Sequence, residues 1–138
     1  MTDTHGRGNT VRGELALDRE GRFLALRLDW IADMGAYLSA TGSASHTRNP
    51  SGCMTGVYSI PALYGRFRLA FTNTTPIAAY RGAGRPDIAY VVERLVNETA
   101  AQLKMDPAEL RRRNFIPRDA FPYKTPPGSP YETTDLPN

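Results

Sequence analysis

The order and spacing of apolar residues predict an α+β chain: an antiparallel hairpin and a further strand followed by two helices. Three observations carry this prediction. Apolar residues alternate with polar ones in short runs up to residue 71. From residue 86 they recur at spacings of three and four. No strict strand-helix-strand alternation relates the two kinds of segment.

Residues 11–17 place Val11, Gly13, Leu15 and Leu17 on one face and Arg12, Glu14 and Ala16 on the other, the pattern of a half-buried strand. The polar turn Asp18-Arg19-Glu20-Gly21 follows, its glycine able to take a positive φ. Leu24, Leu26, Leu28 and Trp30 then alternate with Ala25, Arg27 and Asp29, which completes a hairpin. Residues 35–59 hold the loop-forming clusters Thr41-Gly42-Ser43-Ala44-Ser45 and Asn49-Pro50-Ser51-Gly52, so a mostly irregular stretch with one short helix is expected. Over residues 64–71, Phe67, Leu69 and Phe71 oppose Arg66 and Arg68, a third strand.

Ile88, Val91, Val92, Leu95, Val96, Thr99 and Leu103 form one stripe of a helix over residues 86–104, with Pro86 suited to its first turn. Asp106-Pro107-Ala108-Glu109 opens a second helix through a capping box, and Pro117 limits it. Residues 1–120 are thus expected to form the folded segment. Residues 121–138, with prolines at 122, 126, 127, 130 and 137, are expected to be a Pro-rich extended tail.

Composition excludes several functions. Seventeen basic against fourteen acidic side chains give a net charge of +3, with the arginines interleaved among acids and aliphatics. Nucleic-acid surfaces carry denser basic runs, so no nucleic acid is expected. Cys53 is the one cysteine and His5 and His46 lie far apart, which leaves no ligand set for a metal held by side chains. Cys53 also lacks a neighbouring base to make it reactive. The first ten residues are polar and no apolar run suits a bilayer, so a cytoplasmic setting away from membranes is expected. Trp30, Tyr58, Tyr64, Tyr80 and Tyr90 read as core and interface packing, and Arg111, Arg112 and Arg113 as a solvated helix end.

The stretch from Thr72 to Pro86 joins a strand to a helix start. Gly82 and Gly84 lack Cβ atoms, so backbone amides there can approach a ligand closely. The helix N-terminus adds unpaired N–H groups, and Arg81 and Arg85 add charged donors. These residues fit an anionic or strongly polar ligand; they equally fit a tight turn with its arginines in solvent.

Asn73-Thr74-Thr75-Pro76 followed by Ala79-Tyr80-Arg81-Gly82-Ala83-Gly84-Arg85-Pro86 resembles the signature loop of the molybdopterin-binding large subunit of the xanthine dehydrogenase, aldehyde oxidase and aerobic carbon monoxide dehydrogenase family. Met34-Gly35-Ala36-Tyr37, Glu93-Arg94-Leu95, the run from Met105 to Ile116 and Phe121-Pro122-Tyr123 match the same family in the same order. The chain thus resembles a piece of the molybdenum cofactor-binding domain.

The resemblance implies a molybdenum-molybdopterin cofactor contacted by Arg81 and by the backbone of Gly82. It implies a substrate pocket containing Ala83 and Asn49. Purine-oxidising members carry a phenylalanine at the Ala83 position and an arginine at the Asn49 position, so a purine substrate is not expected. Copper-containing members carry a cysteine where Gly82 stands, so copper is not expected either. The implied reaction is hydroxylation of a small molecule, an aldehyde or N-heterocycle, with oxygen derived from water.

The proton-accepting carboxylate of the family lies near the far end of the subunit, so no catalytic residue is assigned; Glu93, Glu98 and Glu109 read as helix-surface or capping charges. FAD and 2Fe-2S clusters are expected on other domains or subunits. The expected partners are the remainder of the large subunit and flavin and iron–sulfur subunits, with the chain alone inactive and able to form homo-oligomers. The other class left open is a stand-alone basic domain that binds an anionic partner.

Overall fold

A computed structural model describes residues 3–132. Strands β1 (Asn9–Leu17) and β2 (Phe23–Asp33) form the expected antiparallel hairpin, with Val11 opposite Trp30 and Leu15 opposite Leu26. The Asp18 carboxylate accepts the Glu20 and Arg22 amides at 3.0 and 2.8 Å, and Gly21 takes φ +82° to close the turn. Leu26, Leu28, Trp30 and Ala32 point into the core. Leu24 does not join them. Leu17 pairs with Phe23 and Ala16 with Ala25, so a bulge at Leu24 turns it outward and brings Phe23 inside instead.

Strand β3 (Ala62–Ala70) lies parallel to β2, with Phe67 beside Trp30. A parallel neighbour needs a crossover, and residues 34–61 supply it. This crossover holds two short helices, α1 (Gly42–His46) and α2 (Arg48–Ser51), where the sequence suggests one. The expected apolar face of the third strand is covered only in part. Phe67 packs on Trp30 at 5.7 Å between ring centroids, whereas Leu69 and Phe71 are 42% and 66% exposed.

Helix α3 (Arg85–Leu103) buries Ile88, Val92, Val96 and Ala100 against the sheet. Gly13 lets it approach: a Cβ there would lie 2.7 Å from Leu95 Cδ1. Leu103, expected on the buried stripe, is exposed at the helix end. Helix α4 (Pro107–Asn114) starts with the Asp106 side chain accepting the Ala108 amide. Glu109 does not close a capping box; its carboxylate takes Arg113 Nε at 2.8 Å.

Two polar knots join these layers. Asn114, 4% exposed, accepts the Phe23 amide at 2.7 Å and donates to the Gly21 and Leu110 carbonyls at 2.9 and 2.8 Å. The Glu93 carboxylate accepts the Tyr58 hydroxyl at 2.7 Å and Arg111 Nε and Nη2 at 2.9 and 2.6 Å. Glu93 and Arg111, read from sequence as solvated charges, therefore tie α3, α4 and the segment before β3 together. Burial and the Glu93 contact raise the Tyr58 hydroxyl pKa far above its ordinary value.

Beyond a 3-10 turn (Arg118–Ala120), β4 (Tyr123–Lys124) pairs antiparallel with β5 (Pro130–Tyr131). The Tyr131 hydroxyl donates to the Gly56 carbonyl at 3.0 Å. No described helix is long and apolar enough to cross a membrane.

Candidate functional site

The segment from Thr72 to Arg85 leaves the end of β3 and returns to the start of α3 across a cradle built by residues 33–50. At its entry the Asp33 carboxylate gathers three donors: the Gly35 amide at 2.7 Å, the Thr72 hydroxyl at 2.6 Å and the Thr74 hydroxyl at 2.9 Å. The Thr72 contact, then Gly35, holds the Asp33 carboxyl below its ordinary pKa. Backbone bonds continue the docking: Thr72 N–H to Gly35 O at 3.0 Å, Ala36 N–H to Thr74 O at 2.9 Å. The Ser39 hydroxyl donates to the Ile77 carbonyl, and the Ala79 amide donates to Thr41 Oγ1. From the other side, His5 pairs with the same segment through Pro76 O and the Ala78 amide at 3.0 and 2.8 Å.

Sequence reasoning missed this cradle. Asp33, Ser39 and Thr41 sit outside any motif, although Gly35 and Thr74 fall within the strings that carry the family resemblance.

At the apex, Gly82, Ala83 and Gly84 take φ values of +86°, +47° and +88° in succession. Such angles favour glycine, so Ala83 is held in a conformation an L-residue adopts at a cost. Gly84 permits the closest approach of the turn. A Cβ there would stand 1.9 Å from the Ser45 carbonyl oxygen of α1 and 3.1 Å from Pro50 Cδ of α2. The turn is closed by the Ala83 amide on Tyr80 O at 2.9 Å and the Arg85 amide on Gly82 O at 3.1 Å.

The four residues singled out from sequence are placed as follows. Arg81 and Gly82 are exposed at the apex, and the Arg81 side chain has no hydrogen bond or ion pair with any described residue. Ala83 is half-buried beside them. Asn49 is half-buried on α2, next to the Pro50 that abuts Gly84, so α2 and the apex adjoin. No hydrogen bond joins Asn49 to residues 81–83.

Several buried polar atoms lack a partner among the described residues. His46 is 1% exposed and neither ring nitrogen has a hydrogen bond to a described residue, nor do Asp87 Oδ2 at the start of α3 and Thr55 Oγ1. Burial holds the His46 imidazole below its ordinary pKa, against the opposing pull of Asp87 and then Asp33. A separate cleft of about 380 Å³ at the start of α3, lined by Arg7, Asn9, Val11, Pro86, Asp87, Tyr90 and Val91, contains none of the four predicted residues. Among the described residues no three histidine, cysteine, aspartate or glutamate side chains are grouped to hold a metal ion. What the apex offers is therefore a set of hydrogen-bond donors.

The molybdopterin cofactor-binding domain family matches this chain over residues 1–115. The chain belongs to that family. As a molybdopterin cofactor-binding domain it is similar to the carbon monoxide dehydrogenase large chain of Hydrogenophaga pseudoflava, with 36% identity over 97% of this chain and 17% of the relative. It is 32% identical to the nicotine 6-hydroxylase large subunit of Paenarthrobacter nicotinovorans over 96% of this chain and 16% of the relative. Its fold matches the crystal structure of quinoline 2-oxidoreductase from Pseudomonas putida 86 with a TM-score of 0.87 and 34% identity, covering 96% of this chain and 17% of that one. This cofactor-binding domain thus spans about a sixth of the length of the relatives it matches.

Proposed function

We propose that this chain is a segment of the large subunit of a molybdenum hydroxylase that converts an aldehyde or N-heterocycle with oxygen derived from water. The observation that carries the reading is the Arg81 guanidinium, without a partner among the described residues, on a turn docked from several sides. A ligand that immobilises this cation costs side-chain entropy, but the anchored backbone leaves little loop ordering to add to it.

The residues fit the cofactor. Its oxygen-rich pterin calls for donors, and the apex presents the five-donor fork of Arg81 beside an exposed Gly82 backbone. Arg81 and Gly82 would hold molybdenum-molybdopterin, which when bound supplies the two-electron redox chemistry. Arg81 would orient the cofactor, and Ala83 together with Asn49 on α2 would line the substrate pocket. FAD and 2Fe-2S clusters would reside on partner domains or subunits, and the remaining pocket walls on the rest of the large subunit. The names of relatives that act on nicotine and quinoline favour an N-heterocycle.

The test is Arg81→Ala in the full-length complex. Molybdenum content or turnover should fall by about an order of magnitude or more, as for other lost charge-assisted contacts. Unchanged metal content together with unchanged turnover refutes the assignment.

A further inference from the structure

Strand β3, nine residues long, is one of the two edges of the three-stranded sheet. Within the described residues its backbone bonds go to β2, except that the Ala70 carbonyl accepts the Met34 amide at 2.8 Å. Proteins blunt such edges with proline, charged side chains, bulges or a covering element, because free strand edges recruit other strands. Residues 62–70 contain no proline, and their charges are Arg66 and Arg68.

The two faces of β3 ask for different side chains. Toward the core, Leu69 is 42% exposed, and Phe71 just past the strand is 66% exposed. Toward the outside, Arg66 and Arg68 both lean on Asp29, while Arg12 and Arg27 share Glu14. Four guanidinium groups thus share two carboxylates, and the outer face keeps a positive excess. A second copy pairing antiparallel about the middle of β3 would set arginine against arginine, and like charges directly opposite destabilise a sheet.

We propose that the β3 edge is a docking site for a further strand that alternates apolar with acidic residues. Its apolar side chains cover Leu69 and Phe71, and its carboxylates lie across from Arg66 and Arg68. The remainder of a large subunit supplies it: this chain spans 17% of its carbon monoxide dehydrogenase relative, so most of such a subunit lies elsewhere. The source of the strand rests on the proposed function, while its chemistry rests on the edge alone.

The experiment adds a nine-residue peptide of alternating valine and glutamate to the chain, with a valine–lysine peptide as comparison, and follows hydrogen exchange residue by residue. The glutamate peptide should slow exchange across residues 62–70 at least tenfold, and less so as salt is raised. The lysine peptide should do so at least tenfold more weakly. The double variant Arg66→Glu, Arg68→Glu should reverse the preference. No slowing along β3, equal slowing by both peptides, or slowing confined to other strands overturns the proposal. Slowing that depends on chain concentration without peptide shows that a second copy occupies the edge, which also overturns it. Neither peptide touches the apex, so this result and the Arg81 experiment fail independently.

Discussion

Replacing Asn114 by alanine should remove the joint between the end of α4 and the β1–β2 turn. The wild-type carboxamide is 4% exposed and serves the Phe23 amide, the Gly21 carbonyl and the Leu110 carbonyl. Phe23 and Gly21 are themselves buried, so water cannot replace the lost partner. Two orphaned backbone groups, at roughly 1–3 kcal/mol each, sum to a loss of about 4 kcal/mol. That is a large share of the 5–15 kcal/mol or so by which domains are stable. Urea denaturation followed by circular dichroism measures it.

Asn114→Asp separates hydrogen bonding from volume. It keeps the acceptor for Phe23 but turns a second oxygen toward two carbonyls. The buried carboxyl should titrate above its ordinary value, so this variant should be as unstable as Asn114→Ala at neutral pH. It should regain stability as pH falls through that raised pKa toward about 4, as the carboxyl becomes a donor, and change little below. A loss under about 1 kcal/mol in Asn114→Ala, or a pH-independent Asn114→Asp, would refute this account.

Because His46 is buried with its pKa depressed, the unfolded chain binds more protons just below about pH 6.5, and stability should fall as pH drops through that window; urea midpoints should slope with pH there and flatten in His46→Leu. The Asp33 contribution has the same sign but is lost only at lower pH, below the ordinary aspartate range, so the two are separable. Gly84→Ala should unfold the chain or cost more than about 2 kcal/mol, since its Cβ meets the Ser45 carbonyl and its φ is +88°. Ala83→Gly should be neutral or stabilise by up to about 1 kcal/mol in the same melts, because it releases a left-handed alanine. The full-length complex should hold no stoichiometric copper, as Gly82 offers no thiolate; elemental analysis giving one copper per molybdenum overturns this. The chain alone should show no bound pterin and no dye reduction with aldehydes or heterocycles, and turnover above buffer would refute that.

The sequence by itself determined the element order, the α+β class and the family. Period-two and period-3.6 patterns are local consequences of which face must be dry, so β1, β2, α3 and α4 were legible from their own residues. The motif strings were legible for a similar reason, since Gly82 and Asp106 answer to backbone demands within a few residues of themselves. Tertiary structure alone decided the rest. Leu24 faces outward because a bulge one residue long reverses the pleat, which alternation cannot register. The direction of β3 depends on the crossover before it, and its half-bare face on how little of the described chain packs over Leu69. The Asp33 clamp joins side chains 39 and 41 residues apart, and the Asn114 joint spans 91. Polar contacts of that range leave no period in a sequence: a single buried donor or acceptor must find its partner wherever packing delivers one.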